Sequence, residues 1–276
     1  MKNGIYLVAT PIGNIKDITF RAVEVLKTAT VIACEDTRIT KKLFSLLGIS
    51  SGHKIFISLH NYNEEETAQS VINEALKGNV VAYVSDAGSP LISDPGYKLA
   101  KKCREQGIYV TTIPGACAAV CGLQLSGLPT NNFMFVGFIP NKDKARKDIL
   151  EKYKDVETTL VFYETANRLL KTLEAAKLVF GNREIAVARE ISKLYEECQN
   201  GTAEELIAHF TENPPKGEIV LMVAPPLQEQ KIDYEAELKI ELQKQSLKSA
   251  VKTIVEKYGL NKNEVYQKAL EQKNGL

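Results

Sequence analysis

The chain has 276 residues, 44% hydrophobic and 25% charged, with a formal net charge of +1. That composition fits a soluble globular protein of two ordinary domains; no apolar run approaches the ~18 residues of a membrane span, and near-neutrality leaves any nucleic-acid binding to local patches. The start, Met1 to Gly4, shows no signal-peptide pattern, so a cytoplasmic, reducing location is expected.

Through residue 127 strand and helix signals alternate. Apolar runs at 5–10, 31–34, 54–58, 80–85 and 109–113 predict strands, and the stretches 19–28, 37–47, 63–76 and 97–106 between them predict helices. This rhythm implies a mostly parallel sheet with helices on both faces. The turn formers SGLPTNN at 126–132 mark a boundary. Beyond it, strands at 133–138, 158–163, 184–189 and 218–224 with a helix at 168–179 predict a mixed sheet. After Pro226 the composition turns to Lys, Glu and Gln, with helical periodicity at 235–245, 248–258 and 262–272. Gly259 supplies a stop and Asn261 an N-cap, which suits a small helix-turn-helix-like unit. The expected fold is α/β: domains over 1–127 and 128–226, then a helical extension over 234–276.

Chemistry should gather where strands hand over to helices, since open α/β sheets bind ligands at the carboxyl ends of their strands. VSDAGSPLISDPG at 84–96 is the most informative such segment; ATPIGN at 9–14, IPGACA at 113–118 and VFYETA at 161–166 are the others. Neither a P-loop nor a dinucleotide fingerprint is present, and no serine sits in G-x-S-x-G. Five cysteines (Cys34, Cys103, Cys117, Cys121, Cys198) and three histidines (His53, His60, His209) show no ligand spacing, so no metal is expected. Polar groups beside the turns are Glu35, Asp36 and Arg38, His60 and Asn63, Asp86, Glu164, and Arg189 with Glu190. Asp36 and Arg38 form the strongest cluster, able to orient a hydroxyl or grip a phosphate, and His60 is a candidate base. Each taken singly reads first as a capping or ion-paired residue. Two basic patches, Lys142, Lys144, Arg146 and Lys147 and the lysine-rich terminal helices, could follow a phosphate backbone or be solvated faces.

Taken in order, VATPIGNIKDIT, ACEDTR, SLHNYNEE, VSDAGSPLISDPGY, IPG, SGLPT, GFIP, FYET, NRLL and ARE carry a resemblance. From about residue 4 to 224 the chain resembles the bacterial 16S ribosomal RNA cytidine 2'-O-ribose methyltransferases of the tetrapyrrole-methylase superfamily, and its terminal helices resemble that family's extension. The resemblance implies two α/β domains with S-adenosylmethionine folded into the cleft between them, a decoding-region cytidine of small-subunit 16S rRNA as acceptor, and a homodimer. Carried over by position, cofactor contacts would be Ile12, Ser89, Ile92, Cys117, Ala118 and Tyr163, with Ala188 and Met222 from the second domain. Two departures stand out. Ser89 replaces the usual threonine, and Pro114-Gly-Ala-Cys-Ala118 replaces Pro-Gly-Pro-Ser-Ala, which puts a side-chain hydrogen bond at residue 117 in doubt.

For the transfer itself, Asp36 and Asp86 are candidate acceptors of the 2'-hydroxyl proton, and Arg38 and Arg189 candidate RNA clamps. The alternatives are a tetrapyrrole methylase of the same fold, and a non-catalytic RNA-binding module that would bind no cofactor.

Overall fold

The computed structural model describes residues 1–60, 62, 64–226 and 233–274; Asn63, named above, lies outside them. Residues up to Pro226 form one compact unit and the terminal helices another.

The first unit opens with a βα series: β1 (Gly4–Val8), α1 (Phe20–Thr28), β2 (Val31–Cys34), α2 (Thr37–Leu46), β3 (Ile55–Ser58), α3 (Glu64–Leu76), β4 (Val80–Val84), α4 (Tyr97–Glu105), β5 (Val110–Ile113) and α5 (Ala118–Leu125). The five strands form one wholly parallel sheet in the order β3-β2-β4-β1-β5. Strands buried on both faces read as continuous apolar runs, and β4 shows why. Its Val81 and Tyr83 pack with α3 and α4, while Ala82 and Val84 pack with α1. Expected strand ends ran two residues long at β1, because Thr10 leaves the ladder for an antiparallel bridge to Gly88.

The second sheet follows: β6 (Phe133–Phe138), α6 (Asp143–Lys152), β7 (Thr159–Thr165), α7 (Leu169–Phe180), β8 (Ile185–Arg189), β9 (Glu197–Gly201), α8 (Ala203–Glu212) and β10 (Glu218–Val223). Its order is β6-β7-β10-β8-β9, with β6 parallel to β7 and the other pairs antiparallel, a mixed sheet as expected. One face carries α7 and α8 over Leu160, Phe162, Val187 and Leu221. The other face, Val161, Ala186, Ala188, Val220 and Met222, receives Ala119 and Leu123 of α5.

Three elements escaped the sequence reading. Strand β9 is Glu-Cys-Gln-Asn-Gly, a polar edge strand that only its pairing with β8 creates. Helix α6 coincides with the basic patch. Helix α8 did carry a signal: Thr202 and Glu205 form a capping box, in which Thr202 Oγ1 accepts from the Glu205 amide and Glu205 accepts from the Thr202 amide at 2.7 Å. Thr202→Ala should lower stability by about 1 kcal/mol, read as a shifted urea midpoint at unchanged m-value.

The terminal unit holds α9 (Glu235–Lys244), α10 (Leu247–Tyr258) and α11 (Lys262–Asn274) around Leu238, Ala250, Val251, Ile254, Val265 and Ala269. As expected, α10 stops at Gly259, and Asn261 Oδ1 accepts from the Asn263 amide at 2.8 Å. Among the described residues no helix is long and apolar enough to cross a membrane, and no cluster is placed to hold a metal ion.

Candidate active site

A cleft of about 280 Å³ opens where the carboxyl ends of the parallel strands face the second sheet. Ile12, Asp86, Ser89, Ile92, Cys117 and Ala118 line it from the strand-end turns of the first sheet. Phe138, Tyr163, Glu190, Lys193 and Val220 line it from the second. The aromatic floor is built by edge contacts, Tyr163 lying 4.9 Å from Phe135 and 5.3 Å from Phe138 between ring centroids. Tyr163 Oη accepts from the Ala119 amide at 3.2 Å, which ties β7 to the first turn of α5.

The segment over 85–96 forms one wall, and several bonds fasten it. Thr10 and Gly88 exchange backbone hydrogen bonds of 2.9 and 3.1 Å. Ser89 Oγ donates to the Ala116 carbonyl at 2.9 Å, and Tyr83 Oη donates to the Pro95 carbonyl at 2.6 Å. The Glu64 carboxylate, arriving from α3, accepts from the amides of Gly96 and Lys98 at 3.0 and 2.8 Å and so caps α4, whose own N-cap glycine has no side chain to offer. Fastened this way, the segment holds Leu91 and Ser93 at φ of 72° and 65°. The facing turn holds Glu190 and Ser192 at 49° and 67°. These four are the non-glycine residues with positive φ among those described, and all lie on the two loops that frame the cleft. Such strain persists only where surrounding structure over-determines it, and it concentrates at functional sites.

The cleft is acidic. Its lining carries Glu35, Asp86, Asp94, Glu164, Glu190 and Glu218 against a single cation, Lys193. Burial, then the charge of Glu35, pushes Asp94 up to about 6. Burial also raises Asp86 and Glu35, each reinforced by neighbouring carboxylates. Glu164 is neutralised differently: fully buried, it pairs with Arg168 at 2.5 Å and accepts from Thr172 Oγ1 at 2.6 Å. Crowded carboxylates that resist ionisation favour a cationic guest, which would relieve their repulsion.

Ten residues named from the sequence meet here: Ile12, Glu35, Asp86, Ser89, Ile92, Cys117, Ala118, Tyr163, Glu164 and Glu190. Cys117 is the N-cap of α5 and makes no side-chain cap bond. Ala188 and Met222 are fully buried in the cluster against which Cys117, Ala118 and Tyr163 pack, so they support the cleft rather than line it. Asp36 caps α2 and is gripped by Arg38 at 2.6 Å, which holds its carboxyl down at about 2 and makes it a poor base. Its amide donates to Asp86 at 3.0 Å, so it positions Asp86 instead. Arg38 stays well exposed. Arg189 is engaged by Glu197 of β9 at 2.5 Å. In the basic patch Lys142, Lys144 and Lys147 are exposed, but Arg146 is turned inward, its guanidinium bound to Asp143 and to the Asn141 carbonyl at 2.6 and 2.8 Å. His60 stacks edge-on against Tyr62 and does not line the cleft.

Asp94, Glu218 and Lys193 were missed. Asp94 had a signal, since it lies within the segment singled out from the start; Glu218 and Lys193 had none, because only the facing of the two sheets brings them to the cleft.

A family model described as tetrapyrrole (corrin/porphyrin) methylases matches residues 4–207, and one described as the RsmI C-terminal HTH domain matches residues 228–273. A protein of Erythrobacter litoralis named ribosomal RNA small subunit methyltransferase I is 50% identical over 98% of this chain and 95% of its own length. Its namesake in Haemophilus influenzae is 44% identical over 95% of both chains. Among solved structures, uroporphyrin-III-C-methyltransferase from Thermus thermophilus shares the fold, with a TM-score of 0.57 at 22% identity over 81% of this chain and 94% of that one.

Proposed function

This chain belongs to the tetrapyrrole methylase family and is a methyltransferase, and from that premise we propose that it methylates the 2'-oxygen of a cytidine in the decoding region of 16S rRNA, using S-adenosylmethionine. The supporting observation is the acidic cleft between the sheets, together with a terminal helix-turn-helix unit that a small-molecule methylase would not need. In the cell we place it in the cytoplasm as a homodimer, with the small ribosomal subunit as partner. In this reading the two catalytic domains span 1–127 and 128–226, and the helical extension spans 234–276.

S-adenosylmethionine supplies a methyl group on a positively charged sulfur, which makes the transfer an in-line displacement. The residues fit that ligand. Glu35, Asp86 and Asp94 stabilise positive charge, and Tyr163 and Phe138 offer aromatic faces to a cation or a purine. Ile12, Ser89, Ile92, Cys117 and Ala118 form the close-packed wall around it, and the first turn of α5, whose N-cap makes no side-chain bond and whose Ala119 amide is taken by Tyr163 Oη, leaves its other amides as donors to a carboxylate.

The acceptor hydroxyl must lose its proton as its oxygen gains the methyl group. Asp94, with Asp86 beside it, is the acceptor we assign, because a carboxylate titrating near 6 is ionised at neutral pH yet far more basic than Asp36. Lys142, Lys144 and Lys147 are exposed cations suited to phosphates outside the cleft.

Calorimetric titration with S-adenosylmethionine tests the cleft: wild type should bind, and Ile92→Trp should abolish binding by filling it. Transfer of radiolabel to small subunits from cells lacking the enzyme tests the acceptor. Label on uroporphyrinogen instead of the subunit would transfer the assignment to a tetrapyrrole methylase. Absence of cofactor binding by folded wild type would leave an RNA-binding module.

A further inference from the structure

An acidic cleft poses a problem for an RNA substrate. Within an RNA chain the 2'-oxygen sits on the carbon next to the one that carries the 3'-phosphate. Any 2'-hydroxyl brought to the cleft therefore brings an anion to its mouth, where Glu35, Asp86, Asp94 and Glu218 of the lining would oppose it. Neither arginine proposed as a clamp from the sequence lines the cleft: Arg189 is engaged by Glu197, and Arg38 by Asp36.

The turn over 190–196 answers this need. Lys193 is the one cation lining the cleft among the described residues, and its side chain is 39% exposed. Glu190 holds it at 2.8 Å, which uses one of three ammonium donors and leaves two. The turn is also braced from the opposite sheet. Ser192 Oγ donates to Asp17, 175 residues away in the chain. Gly13 approaches so closely that a β-carbon there would stand 2.5 Å from Lys193 Cγ and 2.9 Å from the Ile191 carbonyl. Its inner bonds, from the Lys193 amide to the Glu190 carbonyl at 3.0 Å and from the Glu196 amide to the Lys193 carbonyl at 3.2 Å, fix a tight double turn. That turn thrusts out the next two side chains, Leu194 at 87% and Tyr195 at 70% exposure. Tyr195 therefore presents an open aromatic face two residues along the chain from the cleft cation. Unpaired nucleotides are held in just this combination, a ring for the base and a cation for its phosphate.

We propose that the turn over 190–196 docks the acceptor nucleotide, Lys193 binding its 3'-phosphate and Tyr195 stacking on an unpaired base. This rests on the RNA-methylating function proposed above and adds to it how the nucleotide is seated. Asp17 and Gly13 position the turn.

The experiment is steady-state methylation of small subunits at several salt concentrations, with S-adenosylmethionine affinity measured in parallel. Lys193→Gln should raise the KM for subunits about tenfold, the scale of one charged hydrogen bond. It should also flatten the salt dependence of log affinity by roughly one counterion, while Lys193→Arg keeps both. Tyr195→Ala should raise KM by about tenfold with the salt slope unchanged, and Tyr195→Phe should behave as wild type, since stacking needs the ring and not the hydroxyl. All four should keep wild-type cofactor affinity. Wild type that methylates subunits while Lys193→Gln keeps its KM and slope overturns the dock alone; so does a Lys193→Gln enzyme that loses cofactor affinity in step with RNA. Wild type that methylates no subunit overturns the function and the dock together.

Discussion

Asp94→Asn should slow single-turnover methyl transfer at saturating S-adenosylmethionine at least 100-fold, the usual worth of a positioned proton acceptor. In wild type the rate should rise tenfold per pH unit up to about pH 6 and then level off, because the acceptor works only when ionised. In the variant that limb should vanish. Asp86→Asn should give a smaller loss and keep the limb, shifted to lower pH as one neighbouring charge is removed. A variant that retains both the full rate and the acid limb would show that Asp94 takes no proton.

The same substitution should stabilise the protein. In the folded chain Asp94 is raised from 3.8 to about 6, so the native state holds its proton more tightly than the unfolded state does. Below pH 3.8 both states are protonated and the group costs nothing; the cost grows between 3.8 and 6 and is fully present above. Two units correspond to at most about 3 kcal/mol. Asp94→Asn should therefore raise the urea midpoint above pH 6, and the gain should shrink toward pH 4. Lower activity with higher stability is the signature of a group held in place for chemistry.

Gly96→Ala should be the most damaging single substitution in the cleft wall. Gly96 sits at φ 118°, and a β-carbon would stand 2.6 Å from Tyr83 Cε1 and 2.8 Å from Leu91 Cδ1. Tyr83 is buried and held by its bond to the Pro95 carbonyl, so its ring cannot yield cheaply even where the end of the Leu91 side chain swings away. A loss of about 3 kcal/mol or more is expected, combining backbone strain with overpacking, together with loss of S-adenosylmethionine binding. Tyr83→Phe, which removes only the hydroxyl, should cost about 1 kcal/mol and leave the cleft competent. Chemical denaturation and calorimetry on both variants separate these outcomes.

How far the residues spoke for themselves varies along the chain. The parallel sheet was legible because its inner strands β1, β2 and β4 are buried on both faces and therefore apolar throughout, as in Val80 to Val84, with amphipathic helices between. Its strand-end turns were legible because backbone that must bend sharply against a neighbour needs glycine and proline. Strand β9 was not legible: nothing in Glu-Cys-Gln-Asn-Gly favours extension, and its pairing with β8 alone supplies the reason. Within the site, the sequence by itself determined which turns gather at the cleft, since all carboxyl ends of a parallel sheet point one way. Only the tertiary structure decided what each charge does there. Asp36 became a cap held by Arg38, Arg146 turned inward, and Arg189 was taken up by β9. Asp94 and Lys193 came to line the cleft. Charge function depends on distance and burial, which fall steeply over a few ångströms, and those are set by the packing of one sheet against the other rather than by spacing along the chain.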